Sequence, residues 1–278
     1  MSKTWLITGS SRGFGRELAN AVLDHGDRLV ATARRPEQLD DLVARHGDRV
    51  RALALDVTDP AAARAAVQAA VDAFGSLDVV VNNAGYANSA PIEDMPDDDF
   101  RAQVDANFYG VVNVTKAALP ILRAQRSGHI VQFSSVGGRV GGSPGMGAYQ
   151  AAKFAVEGFS EVLANEVAPF GVKVTIIEPG AFRTDWAGSS MRVDPVRPEY
   201  DETVGAMNRR RTGSATWPGD PARAARIIID VVHHTDPPRR LLLGAGAVEL
   251  AARSSAERAA EAEKWADVSR SADFPPGE

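Results

Sequence analysis

The sequence has no cysteine among its 278 residues, which excludes a disulfide framework and any metal site built on thiolates. No apolar stretch approaches the roughly 18–20 residues that a membrane-spanning helix needs. The N-terminus, MSKTWLITGSSRG, contains no signal-peptide core and no cleavage site. Long runs of lysine or arginine are also missing, and the net charge of −5 makes general nucleic-acid binding unfavourable. We therefore expect a soluble cytoplasmic protein that binds neither membrane nor nucleic acid.

The composition is that of an ordinary globular protein. Hydrophobic residues make up 44% and charged residues 24% of the chain, which excludes disordered and fibrous classes. The length allows one or two domains, and α/β folds commonly use it as one. There is no internal repeat.

Short, nearly continuous apolar runs alternate with helix-like segments. Such runs are typical of strands that are buried on both faces of a parallel sheet. In chain order, the runs are Trp5–Thr8, Arg28–Ala33, Val50–Leu55, Leu77–Val81, His129–Phe133, Val172–Ile177 and Arg240–Leu243. The intervening segments have helical apolar spacing, and one of them, Ala61–Phe74, follows the helix-start signal Asp59-Pro60. The pattern predicts a doubly wound α/β sheet: a single Rossmann-like domain of about seven strands over residues 1–268.

Two segments interrupt this alternation. About 40 residues rich in Gly, Ser, Arg and Pro precede the helix expected near Pro221, and a long excursion after a strand is often a functional lid. We predict a substrate lid at about 181–218. Ala247–Val268 has the composition of a helix, and residues 269–278 are predicted to form a disordered tail.

The predicted lid contains large apolar side chains that favour an apolar substrate, because closure over them would exclude water. They could equally pack the lid itself. These residues are Phe182, Trp186, Met191, Met207 and Trp217. The arginines at Arg209–Arg211 could attract an acidic substrate or a cofactor phosphate, but a solvated lid face is favoured for such a run.

A glycine-rich turn, TGSSRGFG, follows the first predicted strand and opens the first helix. Glycine at Gly9, Gly13 and Gly15 permits unusual backbone dihedrals and a close approach of phosphate oxygens. The helix N-terminus offers unpaired N–H groups and partial positive charge. The turn therefore predicts a pyrophosphate site, although its G-x-x-x-G-x-G spacing departs from the usual G-x-G-x-x-G.

Tyr149 and Lys153 lie one helical turn apart in GAYQAAKFAVEGF, which places them on the same helix face. A free tyrosine titrates near pH 10, too high for a base that works near neutrality. Lowering its pKa by about three units needs roughly 4 kcal/mol, which an ammonium about 4 Å away supplies at an effective dielectric near 20. Standing alone, the pair would more simply be exposed residues of an amphipathic helix.

Four motifs in order resemble the short-chain dehydrogenase/reductase family in its single-domain form. They are TGSSRGFG, NNAG at Asn82–Gly85, the pair Ser134-Ser135, and Tyr149-x-x-x-Lys153. With Pro179-Gly180 and Thr184 they span residues 8 to 184. VGG after the serines, YxxxKFAVEG and EPGAFRT are most similar to the hydroxysteroid- and retinol-dehydrogenase-like branch.

The resemblance implies a catalytic group of four residues. Tyr149 would exchange a proton with the substrate oxygen, Lys153 would lower the tyrosine pKa and hold the nicotinamide ribose, and Ser135 would stabilise the developing alkoxide. Ser134 is the alternative to Ser135. Asn107 would hold a water in a proton relay, or it could simply bond its own backbone. The interval from Ser135 to Tyr149 is one residue longer than expected, which we assign to the loop at 137–147.

The resemblance also implies a dinucleotide site. Asp56 would meet the adenine ring, the NAG stretch would pass under the adenosine ribose, and the segment after Pro179 would fix the carboxamide. Plain turns are the simpler alternative at Asp56 and at NAG. The residues placed at the cofactor are Gly9, Ser11, Arg12, Gly13, Phe14, Gly15, Arg34, Arg35, Asp56, Val57, Asn83, Ala84, Gly85, Tyr149, Lys153, Pro179, Gly180, Phe182 and Thr184.

The end of the second predicted strand favours NADP(H) over NAD(H). Ala33 stands where NAD-preferring members of the family carry an acid, and Arg34 and Arg35 follow it. Arg12 lies beside Gly13 in the phosphate turn. Guanidinium groups pair strongly with a 2′-phosphate. Solvated surface arginines are the alternative.

We therefore expect an NADP(H)-dependent oxidoreductase that interconverts a secondary alcohol and a ketone or aldehyde. One alternative is a non-catalytic NADP(H)-sensing regulatory protein of the same fold. Another is an epimerase or dehydratase with tightly held NAD, which the arginines and the short C-terminal region disfavour. Apolar residues on more than one face of the helix at 149–169, together with the resemblance, imply a homodimer or homotetramer.

No metal site is predicted, because the histidines show no ligand spacing and surface or strand-end positions suit them better. The histidines are His25, His46, His129, His233 and His234.

Overall fold

The computed structural model describes residues 2–185, 190–211 and 217–274. Nine strands lie within these ranges: β1 (Thr4–Ile7), β2 (Arg28–Ala33), β3 (Val50–Ala54), β4 (Val79–Asn82), β5 (Ala87–Ser89), β6 (Gly128–Phe133), β7 (Val172–Pro179), β8 (Met191–Val193) and β9 (Arg240–Leu243). Eleven α-helices lie there too: α1 (Gly13–Asp24), α2 (Asp40–His46), α3 (Pro60–Phe74), α4 (Asp97–Val104), α5 (Gly110–Gln125), α6 (Val136–Val140), α7 (Gly147–Val167), α8 (Ala206–Arg211), α9 (Pro221–His233), α10 (Ala245–Lys264) and α11 (Ala266–Arg270).

Seven of the strands form one parallel sheet in the order β3-β2-β1-β4-β6-β7-β9. Each corresponds to one of the seven apolar runs, so the predicted doubly wound sheet is confirmed. The chain moves outward from β1 to β3 and then returns to the other side of β1 at β4. This reversal opens a crevice at the carboxyl ends of the strands, where ligands bind in folds of this kind.

The sheet is buried on both faces because its side chains alternate between two cores. Trp5 and Ile7 face a core formed with α1, α2 and α9, whereas Leu6 and Val30 face one formed with α3, α5 and α7. This two-sided burial explains why the strand sequences are nearly continuously apolar.

The helix-start signal at Asp59-Pro60 works as predicted. The Asp59 carboxylate accepts hydrogen bonds from the N–H groups of Ala61 at 2.7 Å and Ala62 at 3.2 Å. Pro60 occupies the first helical position, where no N–H is needed. The helix ends at Gly75, whose φ of 81° is readily adopted by glycine.

A second, two-stranded sheet was not predicted. Strand β5, just after the NNAG segment, pairs in parallel with β8 of the predicted lid, with Ala87 opposite Met191. Strands of three residues carry too little periodicity to be recognised in a sequence. The described part of the lid also contains α8, whereas Trp186 lies outside the described residues.

The C-terminal segment is helical for longer than expected. Helices α10 and α11 together extend to Arg270, two residues into the segment predicted as a disordered tail. Residues 271–274 are exposed, and 275–278 lie outside the described ranges. In the described part of the chain, none of the helices combines the length and apolar character that crossing a membrane would require.

Candidate active site

A cleft of about 990 Å³ opens at the carboxyl ends of the central strands. It gathers the glycine turn after β1, the arginines after β2, the NNAG segment after β4, the serines after β6 and the Pro-Gly segment after β7. Every site residue predicted from the sequence lines this cleft except Gly15. The strand order therefore brings distant motifs to one place.

Gly15 is a packing residue and not part of the cleft wall. A Cβ atom at this position would overlap the carbonyl oxygen of Gly9 and the amide nitrogen of Asn83. Glycine is needed here so that the first turn of α1 can approach the phosphate turn, and the contact of Gly15 with the cofactor stays a prediction. Gly9 itself has a φ of 69°, a conformation that favours glycine.

The glycine turn is held to the NNAG segment by hydrogen bonds. Asn83 Nδ2 donates to the carbonyl oxygens of Thr8 at 2.9 Å and Gly9 at 3.2 Å. The backbone N–H groups of Asn83 and Ala84 both donate to Thr8 Oγ1 at 3.0 Å. The turn is thus preorganised, with the N-terminus of α1 at the cleft and no acidic residue in its first helical turn. These features fit dinucleotide phosphates.

The end of β2 carries two arginines at the cleft. Ala33 is buried, and the exposed residues Arg34 and Arg35 line the cleft beside it. Arg16, in contrast, is ion-paired with Asp41. The end of β2, which lies beside the glycine turn, therefore presents guanidinium groups to the cleft. In dinucleotide-binding folds a carboxylate at this place binds the ribose of NAD.

Asp56 occupies the cleft wall and shapes a turn at the same time. Its Oδ1 accepts hydrogen bonds from Thr58 N–H at 2.9 Å and from Thr58 Oγ1 at 2.8 Å. The two roles that the sequence suggested for Asp56, a contact with the adenine ring and a turn residue, are therefore compatible. Val57 lines the cleft next to it, and its side chain leaves no room for a Cβ at Gly110.

Tyr149 and Lys153 lie together inside the cleft, on the first two turns of α7. Their exposed fractions are only 8% and 4%. Lys153 Nζ lies 5.6 Å from the centroid of the Tyr149 ring and donates a hydrogen bond to the carbonyl oxygen of Phe133 at 2.7 Å. The end of β6 therefore positions the ammonium beside the phenol.

Burial lowers the pKa of Lys153 to about 8, and the carboxylate of Glu157, one helical turn further along α7, acts in the opposite direction. Desolvation destabilises the charged form, while a nearby carboxylate favours it. The ammonium therefore loses its proton at a pH close to the physiological range.

The two serines differ in their partners. Ser135 caps α6, where its Oγ accepts a hydrogen bond from the N–H of Gly137 at 3.0 Å, so its own proton can be donated into the cleft. Ser134 is buried, and its Oγ lies 3.5 Å from the carbonyl oxygen of Lys153. This arrangement favours Ser135 over Ser134 as the donor to a substrate. The helix α6 lies in the segment that the sequence suggested as a loop.

Asn107 lies on a π-helical turn, Asp105–Tyr109, between α4 and α5. Its Nδ2 donates to the carbonyl oxygens of Tyr86 and Gln103, both at 2.8 Å, so the predicted bond to its own helix backbone is present. Its buried Oδ1 has no hydrogen-bond partner within the described ranges. A Cβ at Gly85 would overlap this oxygen and would lie 3.8 Å from Lys153 Nζ. Asn107 Oδ1 and the Lys153 ammonium therefore both lie beside Gly85.

Aromatic contacts hold the segment after β7 against the glycine turn and the end of β6. The ring of Phe182 lies 4.9 Å from that of Phe14, which in turn lies 5.5 Å from that of Phe133. Gly180 donates a backbone hydrogen bond to Leu243 of β9 at 3.0 Å. Pro179 and Thr184, which come before and after this segment in the chain, also line the cleft.

Comparison with known proteins identifies the family. The family model described as short chain dehydrogenase matches residues 3–193. The chain belongs to the short-chain dehydrogenase/reductase family. It is similar to "Oxidoreductase BOA17" of Botryotinia fuckeliana, with 54% identity over 271 residues that cover 97% of this chain and 98% of that protein. It is also similar to "Oxidoreductase UcpA" of Escherichia coli, with 41% identity over 204 residues, 73% of this chain and 77% of that protein.

A solved structure supports the same conclusion. A short-chain dehydrogenase from Streptomyces avermitilis is 41% identical, has a TM-score of 0.92 and covers 99% of both chains. The protein is therefore an NAD(P)-dependent dehydrogenase/reductase with the seven-stranded Rossmann-like fold of this family.

The cleft of this dehydrogenase also contains residues that the motifs do not include. Among them are Gln38, Tyr86, Asp185, Ser190, Arg211 and Trp217. The sequence favoured a solvated lid face for all three arginines at 209–211, which is wrong for Arg211. Arg209 is exposed and forms an ion pair with Asp201 at 2.7 Å, whereas Arg211 is half-buried and faces the cleft. Only its side-chain environment in the folded chain reveals this difference.

At the amino ends of the strands, the fold brings two histidines and an aspartate together. Ligand atoms of His25, Asp27 and His233 lie within 4.8 Å of one another. His25 Nδ1 lies 3.2 Å from Asp27 Oδ2, and the His25 ring packs against that of His233. The two helix ends that carry the histidines are far apart in sequence, so ligand spacing could not have revealed this group.

Proposed function

We propose that this dehydrogenase uses NADP(H) to interconvert a secondary alcohol and a ketone or aldehyde, within a catalytic domain of residues 1–268 and beneath a lid at about 181–218. The observation that carries the proposal is the buried Lys153 ammonium 5.6 Å from the Tyr149 ring, in a cleft that also holds the glycine turn. A cationic neighbour favours the phenolate, so the tyrosine can exchange a proton near neutral pH.

The residues of the glycine turn and the NAG stretch would hold a nicotinamide cofactor, which would supply hydride transfer to or from the substrate carbon. In the reductive direction Tyr149 gives its hydroxyl proton to the substrate oxygen, and in the oxidative direction it removes the alcohol proton. Ser135 donates a hydrogen bond to the same oxygen and stabilises the charge that develops there. Its cap geometry supports this role because its Oγ already has a donor in Gly137.

Lys153 and Asn107 support the tyrosine. Lys153 holds its charge beside the phenol and, in this proposal, also binds the ribose next to the nicotinamide. Asn107 Oδ1 accepts a hydrogen bond from a water that returns protons to Lys153. The buried, unpartnered oxygen beside Gly85 supports this assignment.

NADP(H) is favoured over NAD(H) by the charges at the end of β2. Arg34 and Arg35 would bind the 2′-phosphate, with Arg12 contributing from the glycine turn; all three line the cleft. A buried alanine at position 33 replaces the acid that would select a ribose hydroxyl. The remaining cofactor-binding residues of this proposal are those predicted from the motifs, Gly15 included.

The sequence segments VGG and EPGAFRT further suggest the hydroxysteroid- and retinol-dehydrogenase-like branch. Within this proposal the enzyme is a cytoplasmic homodimer or homotetramer that reduces or oxidises small molecules.

The proposal is tested by mixing the protein with NADPH or NADH and a panel of ketones and aldehydes while cofactor absorbance is followed. We expect wild-type turnover with NADPH, whereas Tyr149→Phe binds NADPH with an unchanged Kd but loses turnover, because the proton donor is gone. Tyr109→Phe, at an exposed tyrosine outside the cleft, is the matched control and retains activity. NADPH binding without turnover of any carbonyl would instead support a cofactor-sensing protein.

A further inference from the structure

One arginine of the lid differs from its neighbours in its partners. Arg192, Arg197 and Arg209 are exposed, and each forms an ion pair at 2.7 Å with a nearby aspartate. Arg211 forms no ion pair with any of the residues that the structure describes. It is thus a lid cation that lines the cleft without a described carboxylate at ion-pair distance.

Among the described residues, the hydrogen-bond partners of Arg211 are neutral oxygens. Its Nη1 donates to Ser89 Oγ at 3.4 Å and Asn208 Oδ1 at 3.3 Å, and its Nη2 donates to Pro144 O at 3.2 Å. A guanidinium has five N–H donors, so two of them donate to none of the described residues and can face a ligand. Burial without a counter-charge lowers its pKa from the usual value. A half-buried cation in such surroundings is strongly stabilised by an anion.

The position of Arg211 associates it with the reacting end of the cleft. Ser89 belongs to β5, and Pro144 precedes the start of α7. Ala87 of β5 and Met146 form one apolar cluster with Tyr149. None of the described contacts of Arg211 involves the glycine turn or the end of β2, where the cofactor phosphates are expected.

We propose that Arg211 binds a carboxylate of the substrate, so that the physiological substrates are oxo acids and the corresponding hydroxy acids. This inference rests on the proposed oxidoreductase function. A guanidinium fork matches the two oxygens of a carboxylate. Phe182 and Trp217 also line the cleft and would contact the carbon chain between the carboxylate and the reacting carbonyl. The substrate is then amphipathic: apolar along its chain and charged at one end.

The test compares each of a series of straight-chain methyl-ketone acids, from five to ten carbons, with its methyl ester. Initial rates of NADPH oxidation give kcat/KM for both members of a pair. For the chain length that spans the distance from Tyr149 to Arg211, we expect the acid to exceed the ester by about tenfold or more, the range of a charge-assisted hydrogen bond.

Arg211→Gln keeps hydrogen-bond donors for the lid but removes the charge. We expect it to lower kcat/KM for that acid until acid and ester are equal, with the ester rate and the Kd for NADPH within about twofold of wild type. Arg210→Gln, at the exposed neighbouring arginine, is the matched control and keeps the wild-type preference.

Three results would overturn the inference: equal efficiency of acid and ester at every chain length, equal loss of both in Arg211→Gln, or activity confined to ketones outside the series. Equal loss of both would show that Arg211 only anchors the lid. Failure of the wild-type protein to reduce any carbonyl would instead overturn the proposed function itself.

Discussion

At the residue scale, a backbone carbonyl sets the position of the charged group beside the candidate proton donor. Lys153 is carried by α7, yet its Nζ is held by the oxygen of Phe133 on β6. The sheet therefore fixes the end of a flexible side chain that the helix alone would leave with several rotamers. This is why the ammonium can lie beside Tyr149 despite its burial.

The lowered pKa of Lys153 predicts a loss of activity at alkaline pH. Reduction requires the ammonium, and this group loses its proton as pH rises through about 8. We expect kcat/KM for a ketone to fall above that pH, measured as a full pH profile. Lys153→Met removes the titrating amine and leaves Tyr149 without a cationic neighbour, so its much lower activity should not decline in the same range. A wild-type profile that stays flat to pH 10 would contradict this role.

Arg34 should select the phosphorylated cofactor. Arg34→Gln removes one guanidinium from the proposed 2′-phosphate site, so we expect the Kd for NADPH to rise by about tenfold or more. The Kd for NADH should stay within about twofold, because NADH has no 2′-phosphate. Fluorescence titration of the reduced cofactors measures both constants. Arg64→Gln, on α3 and away from the cleft, serves as the control; an equal change for both cofactors in Arg34→Gln would exclude phosphate selection.

The sequence predicted those site residues whose role depends on neighbours that are close along the chain. Tyr149 and Lys153 are one helical turn apart, and the glycine turn follows a strand, so their position in the cleft followed from local rules. Arg211 could not be predicted in this way, because its neighbours Arg209 and Arg210 have the same residue type. Its difference comes from contacts with Ser89 and Pro144, which are distant in sequence.

At the scale of secondary structure, β6 serves both stability and the site. Its carboxyl end supplies Phe133 and the serines, while its first residues include His129, which is buried and lies with Nε2 2.9 Å from Thr175 Oγ1 of β7. Strands as long as β6, which has six residues, were predictable from their apolar runs. The three-residue strands β5 and β8 and the π-helical turn at Asn107 were not, because tertiary contacts and not periodicity stabilise them.

His129 should make the fold sensitive to acid. Burial lowers its pKa in the folded protein to about 4, from 6.5 in the unfolded chain. The contribution of the neutral His129 side chain to the free energy of unfolding is complete above pH 6.5. It is lost as pH falls toward 4, because protonation then favours the unfolded chain. Between pH 7.5 and pH 5, we expect wild type to lose about 2 kcal/mol more free energy of unfolding than His129→Gln.

Urea unfolding at the two pH values measures this difference. His234→Gln, at an exposed histidine, should behave like wild type. An identical pH dependence in wild type and His129→Gln would show that this histidine does not titrate on unfolding.

At the scale of the whole molecule, α7 presents an apolar stripe to solvent. Phe154 and Val162 are 39% and 58% exposed, and Gly158, one turn from each, has open space around its Cα. Small and apolar residues in a row permit close approach of a second helix. The same helix carries Tyr149 and Lys153 on its buried face, so a subunit contact here would lie directly behind the candidate site.

Val162→Asp should therefore dissociate the proposed oligomer. A buried unpaired carboxylate at a subunit contact is strongly unfavourable. We expect sedimentation velocity to show a dimer or tetramer for wild type and a monomer for Val162→Asp. Val43→Asp, at an exposed valine on α2, provides a matched control that keeps the wild-type assembly. A monomeric wild type would contradict the proposal.

The strand order has a consequence for how the protein is made. Of the seven strands of the large sheet, β1 comes first in the chain and lies in the interior, and each later one pairs with one that has already emerged: β2 and β3 on one side, then β4, β6, β7 and β9 in turn on the other. No strand has to insert between two that are already paired. The nascent chain can therefore extend the sheet from an open edge at every step of translation, and its last edge is completed only when β9 leaves the ribosome.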